Sequence, residues 1–211
     1  MIRFHEKNFK KICRQLAVKD EIFRSIIDEY GYPPMWTRPA SFQTLVLIIL
    51  EQQVSLAAAY AAFKKLKDKI GVVTPKKLVA LTDEEMRACY FTRQKMGYAR
   101  GLANAILKRK LVLKRLHALP DDEIRLVLKE YKGIGDWTVD VYLMHALQRT
   151  DLFPLGDIAL VNSLKHVRQL PAHTSKDELL ALAEPWKPYR TIASMILWHA
   201  YIKRKKIILK D

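Results

Sequence analysis

Residues 128–138 read LKEYKGIGDWT and contain two glycines that flank one apolar residue. Such a turn is typical of two helices that meet through a tight connection, in which Gly133 ends the first helix with a positive φ. Gly135 lets the backbone approach a ligand closely, and Ile134 can anchor the turn in the core. The exposed N–H groups of the turn precede a helix that starts near Asp136, an arrangement that binds anions such as phosphate. Taken alone, the pattern also fits an ordinary helical hairpin with a glycine cap.

On both sides of this turn the apolar residues recur at spacings of three and four, and the chain contains only seven glycines. This periodicity predicts an all-α protein. The Thr74-Pro75 and Pro120-Asp121-Asp122 segments favour helix starts, because proline and acidic residues suit the first helical turn. We predict helices over residues 6–16, 20–30, 41–52, 55–69, 75–80, 83–89, 94–109, 121–131, 136–149, 158–169, 176–184 and 189–204.

Prolines divide the chain into two predicted lobes. Three of them surround Trp36 between residues 33 and 39, and the segment 116–120 separates the middle of the chain from the next helix. We predict a central helical bundle over 36–116, and a second helical lobe formed by 1–35 and 117–211 that contains the hairpin at about 121–149.

The charge balance indicates an anionic partner. Lys and Arg number 37 against 22 Asp and Glu, which gives a formal net charge of +15. Nucleic acid fits this excess best and an acidic membrane surface second. The longest apolar run, residues 45–50, is far too short to span a bilayer, and the N-terminus lacks the apolar block of a signal peptide. A membrane span is therefore excluded, and because nucleic acid fits the charge better we expect no membrane partner.

Cysteine and histidine usage excludes several kinds of site. The two cysteines, Cys13 and Cys89, cannot form a disulfide framework, a cysteine-rich zinc module or a Cys₄ iron–sulfur cluster. The six histidines show no metal-ligand spacing, and we expect His145, His166 and His199 to be structural. A reducing intracellular compartment is expected, the cytoplasm or nucleoid, or the nucleus in a eukaryote.

Four blocks carry a resemblance to a known family, at residues 48–55, 131–138, 151–157 and 184–190, the last running on to Trp198. In this order and at these separations they resemble the helix-hairpin-helix (HhH-GPD) superfamily of DNA base-excision glycosylases, and within it the 3-methyladenine DNA glycosylase II branch. The resemblance covers about 41–204. It implies a two-lobed fold with the active-site cleft between the helical lobes.

Asp157 matches the catalytic carboxylate of that family. Its local sequence indicates a helix N-cap, and the two roles are compatible because a helix N-terminus favours an ionised carboxylate. Asp151 and Asp140 are rival acids. We interpret Asp151 as a solvated loop residue and Asp140 as a complement to the helix dipole.

The resemblance places Trp137 and Trp198 in an aromatic pocket for the extruded base, where an indole face favours a cationic alkylpurine. Without the resemblance, Trp198 would be interpreted as a core residue. A further pocket aromatic of larger members corresponds to Val141, and Tyr142 beside it is included as a pocket candidate. Trp137 also occupies the position of the lysine that forms a Schiff base in strand-cleaving members, which implies an enzyme without lyase activity.

The remaining predicted site residues are expected to contact DNA or a cation. Gln53 falls at the position of the wedge that fills the gap left by the flipped nucleotide, and Gln52 is included with it. An ordinary helix end with solvated amides is the alternative for both. The hairpin residues Lys132, Gly133, Ile134 and Gly135 are expected to bind a DNA phosphate. The basic residues of 64–69, 93–115 and 203–210 are individually unspecific but together suit DNA.

The sequence thus predicts a monomeric DNA-3-methyladenine glycosylase II-type enzyme that binds double-stranded DNA containing alkylated bases. It would release alkylated purines, such as 3-methyladenine and 7-methylguanine, and leave an abasic site. No cofactor is expected to be required, although the resemblance implies a structural Na⁺ or K⁺ at the backbone carbonyls of Tyr131 and Ile134. Two alternatives remain: a glycosylase for another damaged or deaminated base, and a non-catalytic helix-hairpin-helix DNA-binding module.

Overall fold

The computed structural model describes residues 2–208. Over this range the chain is all-α, as predicted, and its elements are α1 (Glu6–Lys19), α2 (Glu21–Tyr30), α3 (Phe42–Glu51), α4 (Leu56–Ile70), α5 (Pro75–Val79), α6 (Asp83–Ala88), α7 (Arg93–Leu107), α8 (Leu113–Leu116), α9 (Asp121–Lys129), α10 (Asp136–His145), α11 (Ile158–Val167), α12 (Lys176–Ala183), a 3₁₀ turn (Glu184–Trp186) and α13 (Arg190–Arg204). All the predicted helices are present, with ends shifted by a few residues. Within the described range, no helix is long and apolar enough to cross a membrane.

Many of the helices begin where the sequence supplies a capping side chain. A short oxygen-bearing side chain accepts a backbone N–H from the first turn and so satisfies a donor that has no partner within the helix. The residues that cap in this way are Asp20, Ser41, Ser55, Thr74, Thr82, Thr92, Asp157 and Ser175. The predicted start at Thr74-Pro75 is among them, with proline in the first turn of α5.

The described residues pack as two compact units, one formed by 2–37 with 143–208 and the other by 38–142. The division differs from the predicted lobes. The segment 117–142, which holds α9 and the hairpin, belongs with the central helices and not with the two ends of the chain. Proline marks where a helix starts, but it does not determine which neighbours that helix packs against.

The central unit is built around α3. Residues 44–51 of this helix are all buried, and α3 packs against α4 and α7. Glu51 at its end is 7% exposed and pairs with Arg38, whose Nη1 and Nη2 lie 2.8 and 2.6 Å from the carboxylate oxygens. The bidentate ion pair satisfies a charge that would otherwise be costly to bury.

The terminal unit is built around α13. Its residues 191–200 are all buried, and the helix packs against α1, α2 and α11. The Ser163 hydroxyl of α11 donates to the carbonyl of Leu197 at 2.6 Å, which fixes α11 against α13. This packing determines the position of the N-terminus of α11, where Asp157 lies.

Candidate active site

Asp157 caps α11, as predicted. Its Oδ1 accepts the backbone N–H of Leu160 at 2.9 Å, and its own backbone N–H donates to the carbonyl of Pro154 at 2.9 Å. The side chain is half-buried, and the next residue, Ile158, is 76% exposed. The carboxylate therefore lies near the surface of the terminal unit at a helix N-terminus, where the helix dipole stabilises negative charge.

A second donor reaches the same carboxylate oxygen from α13. The indole Nε1 of Trp198 lies 3.0 Å from Asp157 Oδ1. Trp198 is 9% exposed, so this hydrogen bond forms in a largely buried environment, where it is stronger than in water. Trp198 thus contacts the candidate acid directly, a contact that neither the core nor the pocket interpretation anticipated.

His145 stacks on Trp198. The two rings are stacked, with centroids 5.6 Å apart and planes inclined by 23°. The imidazole Nδ1 lies 2.7 Å from the backbone carbonyl oxygen of Trp36. His145 is 7% exposed, so the predicted structural histidine belongs to the surroundings of the candidate acid.

The two rival acids form ion pairs with arginines. Asp151 accepts from Arg190 Nε and Nη2 at 2.8 and 3.0 Å, so it is tied to the start of α13 and is not merely a solvated loop residue. Asp140 pairs with Arg125 at 2.5 Å. Burial nevertheless raises the pKa of Asp140, because the desolvation of the carboxylate outweighs the attraction of the guanidinium.

The hairpin between α9 and α10 has the predicted backbone at its first glycine. Gly133 has a φ of +89°, and Ile134 is 5% exposed and anchors the turn in the central unit. Lys132 and Gly135 are exposed. At the start of α10, the hydrogen bond from Lys129 lowers the pKa of Asp136.

Gln52 and Gln53 have different surroundings. The Gln52 Nε2 donates to the carbonyl of Gly133 at 2.8 Å and to the hydroxyl of Thr138 at 2.9 Å. Gln53 is exposed and has a φ of +56°. The Gln52 amide therefore forms hydrogen bonds within the central unit. Gln53 remains as the wedge candidate.

The other predicted pocket residues differ in exposure. Trp137 is half-buried in the first turn of α10, in the central unit. Tyr142 is fully buried, and its hydroxyl has no hydrogen-bond partner among the described residues. Burial raises the pKa of Tyr142 to about 12. A fully buried ring offers no surface to a ligand in this conformation, so Tyr142 is a core residue here.

The all-α fold, the glycine hairpin and the capped acid agree with one class of DNA repair proteins. The chain belongs to the HhH-GPD superfamily of base excision DNA repair proteins, whose sequence profile it matches over residues 46–188. The predicted family is thereby confirmed.

Individual relatives agree with this assignment. The chain is 32% identical over 184 residues to the protein YfjP of Bacillus subtilis, covering 83% of this chain and 64% of that protein's length. It is 30% identical over 190 residues to DNA-3-methyladenine glycosylase 1 of Schizosaccharomyces pombe, covering 87% of this chain and 83% of the relative. Among solved structures, the S. pombe 3-methyladenine DNA glycosylase Mag1 in complex with abasic DNA matches with a TM-score of 0.82 and 27% identity, covering 95% of this chain and all of that one.

Proposed function

We propose that this protein is a monofunctional DNA glycosylase that extrudes an alkylated purine from double-stranded DNA and hydrolyses its N-glycosidic bond. The substrates would include 3-methyladenine and 7-methylguanine, and the protein would act as a monomer. The observation that carries the proposal is the Asp157 carboxylate, held by the N–H groups of Leu160 and Trp198. The relatives named for 3-methyladenine release support the substrate class.

Asp157 has two tasks in the proposed reaction. As the bond between C1′ and the purine nitrogen breaks, positive charge develops on the deoxyribose, and a fixed carboxylate stabilises that charge. Water then attacks C1′, and the carboxylate orients it and accepts its proton. A purine alkylated at N3 or N7 is cationic before cleavage and leaves as a neutral base, so no general acid has to protonate it. The products are the free base and an abasic site.

In this proposal the central unit binds the DNA. The N–H groups of the hairpin at 132–135 would bind a backbone phosphate, and the exposed Gln53 would enter the gap left by the extruded nucleotide and hydrogen-bond the orphaned base. We keep Trp137 as a base-stacking candidate because an indole face suits a cationic base.

A monovalent cation at the hairpin remains a prediction. The carbonyl oxygen of Tyr131 accepts the N–H of Ile134 at 3.0 Å, and a carbonyl oxygen has a second lone pair that can bind a cation. The carbonyls of Tyr131 and Ile134 therefore suit Na⁺ or K⁺. Such an ion would stabilise the turn and take no part in bond cleavage.

The test compares wild type with Asp157→Asn on duplex DNA that contains 7-methylguanine, under single-turnover conditions. We expect the amide variant to release base more slowly by on the order of 10²-fold or more, because it cannot stabilise the developing charge. Asp151→Asn serves as the matched control, since it removes the other acid of the segment between α10 and α11, one that pairs with Arg190, and it should retain most of the activity. Equal release by wild type and Asp157→Asn would contradict the assignment. Release by no variant would favour another lesion or a DNA-binding module.

The absence of lyase activity is tested by borohydride trapping. Trp137 stands where strand-cleaving members place the Schiff-base lysine, so no covalent protein–DNA adduct should form. A trapped adduct would show a bifunctional enzyme.

A further inference from the structure

We propose that His145 is a positioning residue for Asp157 and that it acts through Trp198. The proposal rests on the glycosylase function above and adds a residue to its site. The contacts that carry it all lie within the terminal unit. They lead from the backbone of Trp36, through the imidazole and the indole, to the carboxylate.

The orientation of the Trp198 indole N–H determines how firmly the Asp157 carboxylate is held. The Leu160 N–H comes from the helix that Asp157 caps, so it limits the carboxylate from one side only. The Trp198 N–H comes from α13 and meets the same oxygen at 3.0 Å. Rotation of the indole about its side-chain torsions would remove this second donor and leave the carboxylate less well defined.

His145 restricts that rotation. Its ring stacks on the indole with planes only 23° apart, and in a close-packed interior it occupies space that the indole would need in order to turn. The imidazole is in turn fixed by its bond to the Trp36 carbonyl at 2.7 Å. A carbonyl oxygen can only accept, so Nδ1 carries the proton in this contact. The hydrogen bond therefore fixes both the orientation and the protonated nitrogen of the ring.

His199 provides a matched control within the same unit. It is buried to the same degree, 6% exposed against 7% for His145, and it also binds a backbone carbonyl, with Nε2 at 3.0 Å from the oxygen of Tyr30. Its ring packs near that of Trp36, with centroids 6.4 Å apart. Substitution of His199 therefore removes a comparable buried hydrogen bond without removing the ring stacked on Trp198.

The first test needs no enzymatic activity. The chain has four tryptophans, so a protein labelled with ¹⁵N gives four indole N–H resonances, and Trp198→Phe identifies the one from Trp198. We expect the Trp198 indole N–H, which is bonded to Asp157, to exchange with water faster than in wild type in Asp157→Asn and in His145→Ala, and at nearly the wild-type rate in His199→Gln. A wild-type exchange rate in His145→Ala would overturn the proposal, whether or not the protein excises any base.

The second test measures single-turnover release of 7-methylguanine. His145→Ala should slow release by roughly 10- to 100-fold, because a small displacement of a reacting group is costly. His145→Phe keeps a flat ring against Trp198 and should restore part of the rate. His145→Ala combined with Trp198→Phe should be no slower than Trp198→Phe alone, because the histidine acts through the indole.

Additive losses, or an equal loss in His199→Gln, would show a merely structural role. Failure of the wild type to release the base would contradict the proposed function, and the exchange rate of the Trp198 indole N–H would still decide the role of His145.

Discussion

Gly133 and Gly135 are separated by one residue but differ in how closely other atoms surround them. A Cβ on Gly133 would lie 2.2 Å from ring atoms of Tyr98, and the φ of +89° is unfavourable for any other residue. A Cβ on Gly135 would have no heavy atom within 4 Å. The first glycine is therefore required by packing and backbone conformation, whereas the second leaves open space at the turn.

Gly133→Ala should lower the free energy of unfolding by about 1–3 kcal/mol, because it combines backbone strain with a steric clash. Urea denaturation measures this change. Gly135→Ala is the control and should leave stability nearly unchanged while weakening duplex binding, since the added methyl group occupies the space where a phosphate would approach. Equal denaturation midpoints for Gly133→Ala and wild type would contradict the requirement for glycine at this position.

Hydrogen bonds connect the end of α3 to two other elements of the central unit. Gln52 bonds the hairpin through Gly133 and Thr138, and the Lys95 ammonium of α7 donates to the carbonyls of Leu50 and Gln52 at 2.7 and 2.8 Å. Desolvation lowers the pKa of Lys95. These bonds fix the turn that presents Gln53.

Gln52→Ala and Gln53→Ala should therefore have different effects. Loss of the Gln52 amide leaves a partly buried carbonyl and hydroxyl without a partner and should cost about 1–3 kcal/mol of unfolding free energy. Loss of the exposed Gln53 side chain should leave stability within about 0.5 kcal/mol of wild type but slow base release from duplex DNA. Thermal unfolding and single-turnover excision distinguish the two. Equal stability of both variants would contradict the internal role of Gln52.

Local sequence predicted where the helices lie better than it predicted which helices pack together. The caps at Asp157 and Thr74 and the positive φ of Gly133 depend on residues a few positions apart, so they could be predicted. The helix α8 was missed because a single turn is too short to show an apolar period.

Contacts between distant residues were not visible in the sequence. Gln52 bonds Gly133 across 81 positions, and His145 stacks on Trp198 across 53 positions. No local pattern reports such pairs, and an isolated histidine on a helix is more often structural. The family resemblance pointed to Asp157 as the candidate acid, but it did not reveal what holds its carboxylate in place.

The net charge of +15 gives a prediction for the whole chain. Binding to undamaged duplex should weaken steeply with salt, by on the order of 10³-fold between about 50 and 200 mM if roughly six phosphates are contacted. Asp157→Asn should show the same salt dependence, because the phosphate contacts and not the candidate acid determine it. Fluorescence anisotropy at several salt concentrations measures both slopes. A flat dependence would contradict electrostatic attachment to DNA.

The discontinuity of the terminal unit has a consequence for biosynthesis. Residues 2–37 leave the ribosome before residues 143–208, yet Phe23 packs edge-on against Trp186 with ring centroids 4.9 Å apart, and Asp20 accepts the indole N–H of the same tryptophan at 2.9 Å. The central unit is continuous in sequence and can begin to bury its core during translation. Helices α1 and α2 must wait for residues 143–208, so the nascent chain carries exposed apolar side chains on these two helices until that segment has been made.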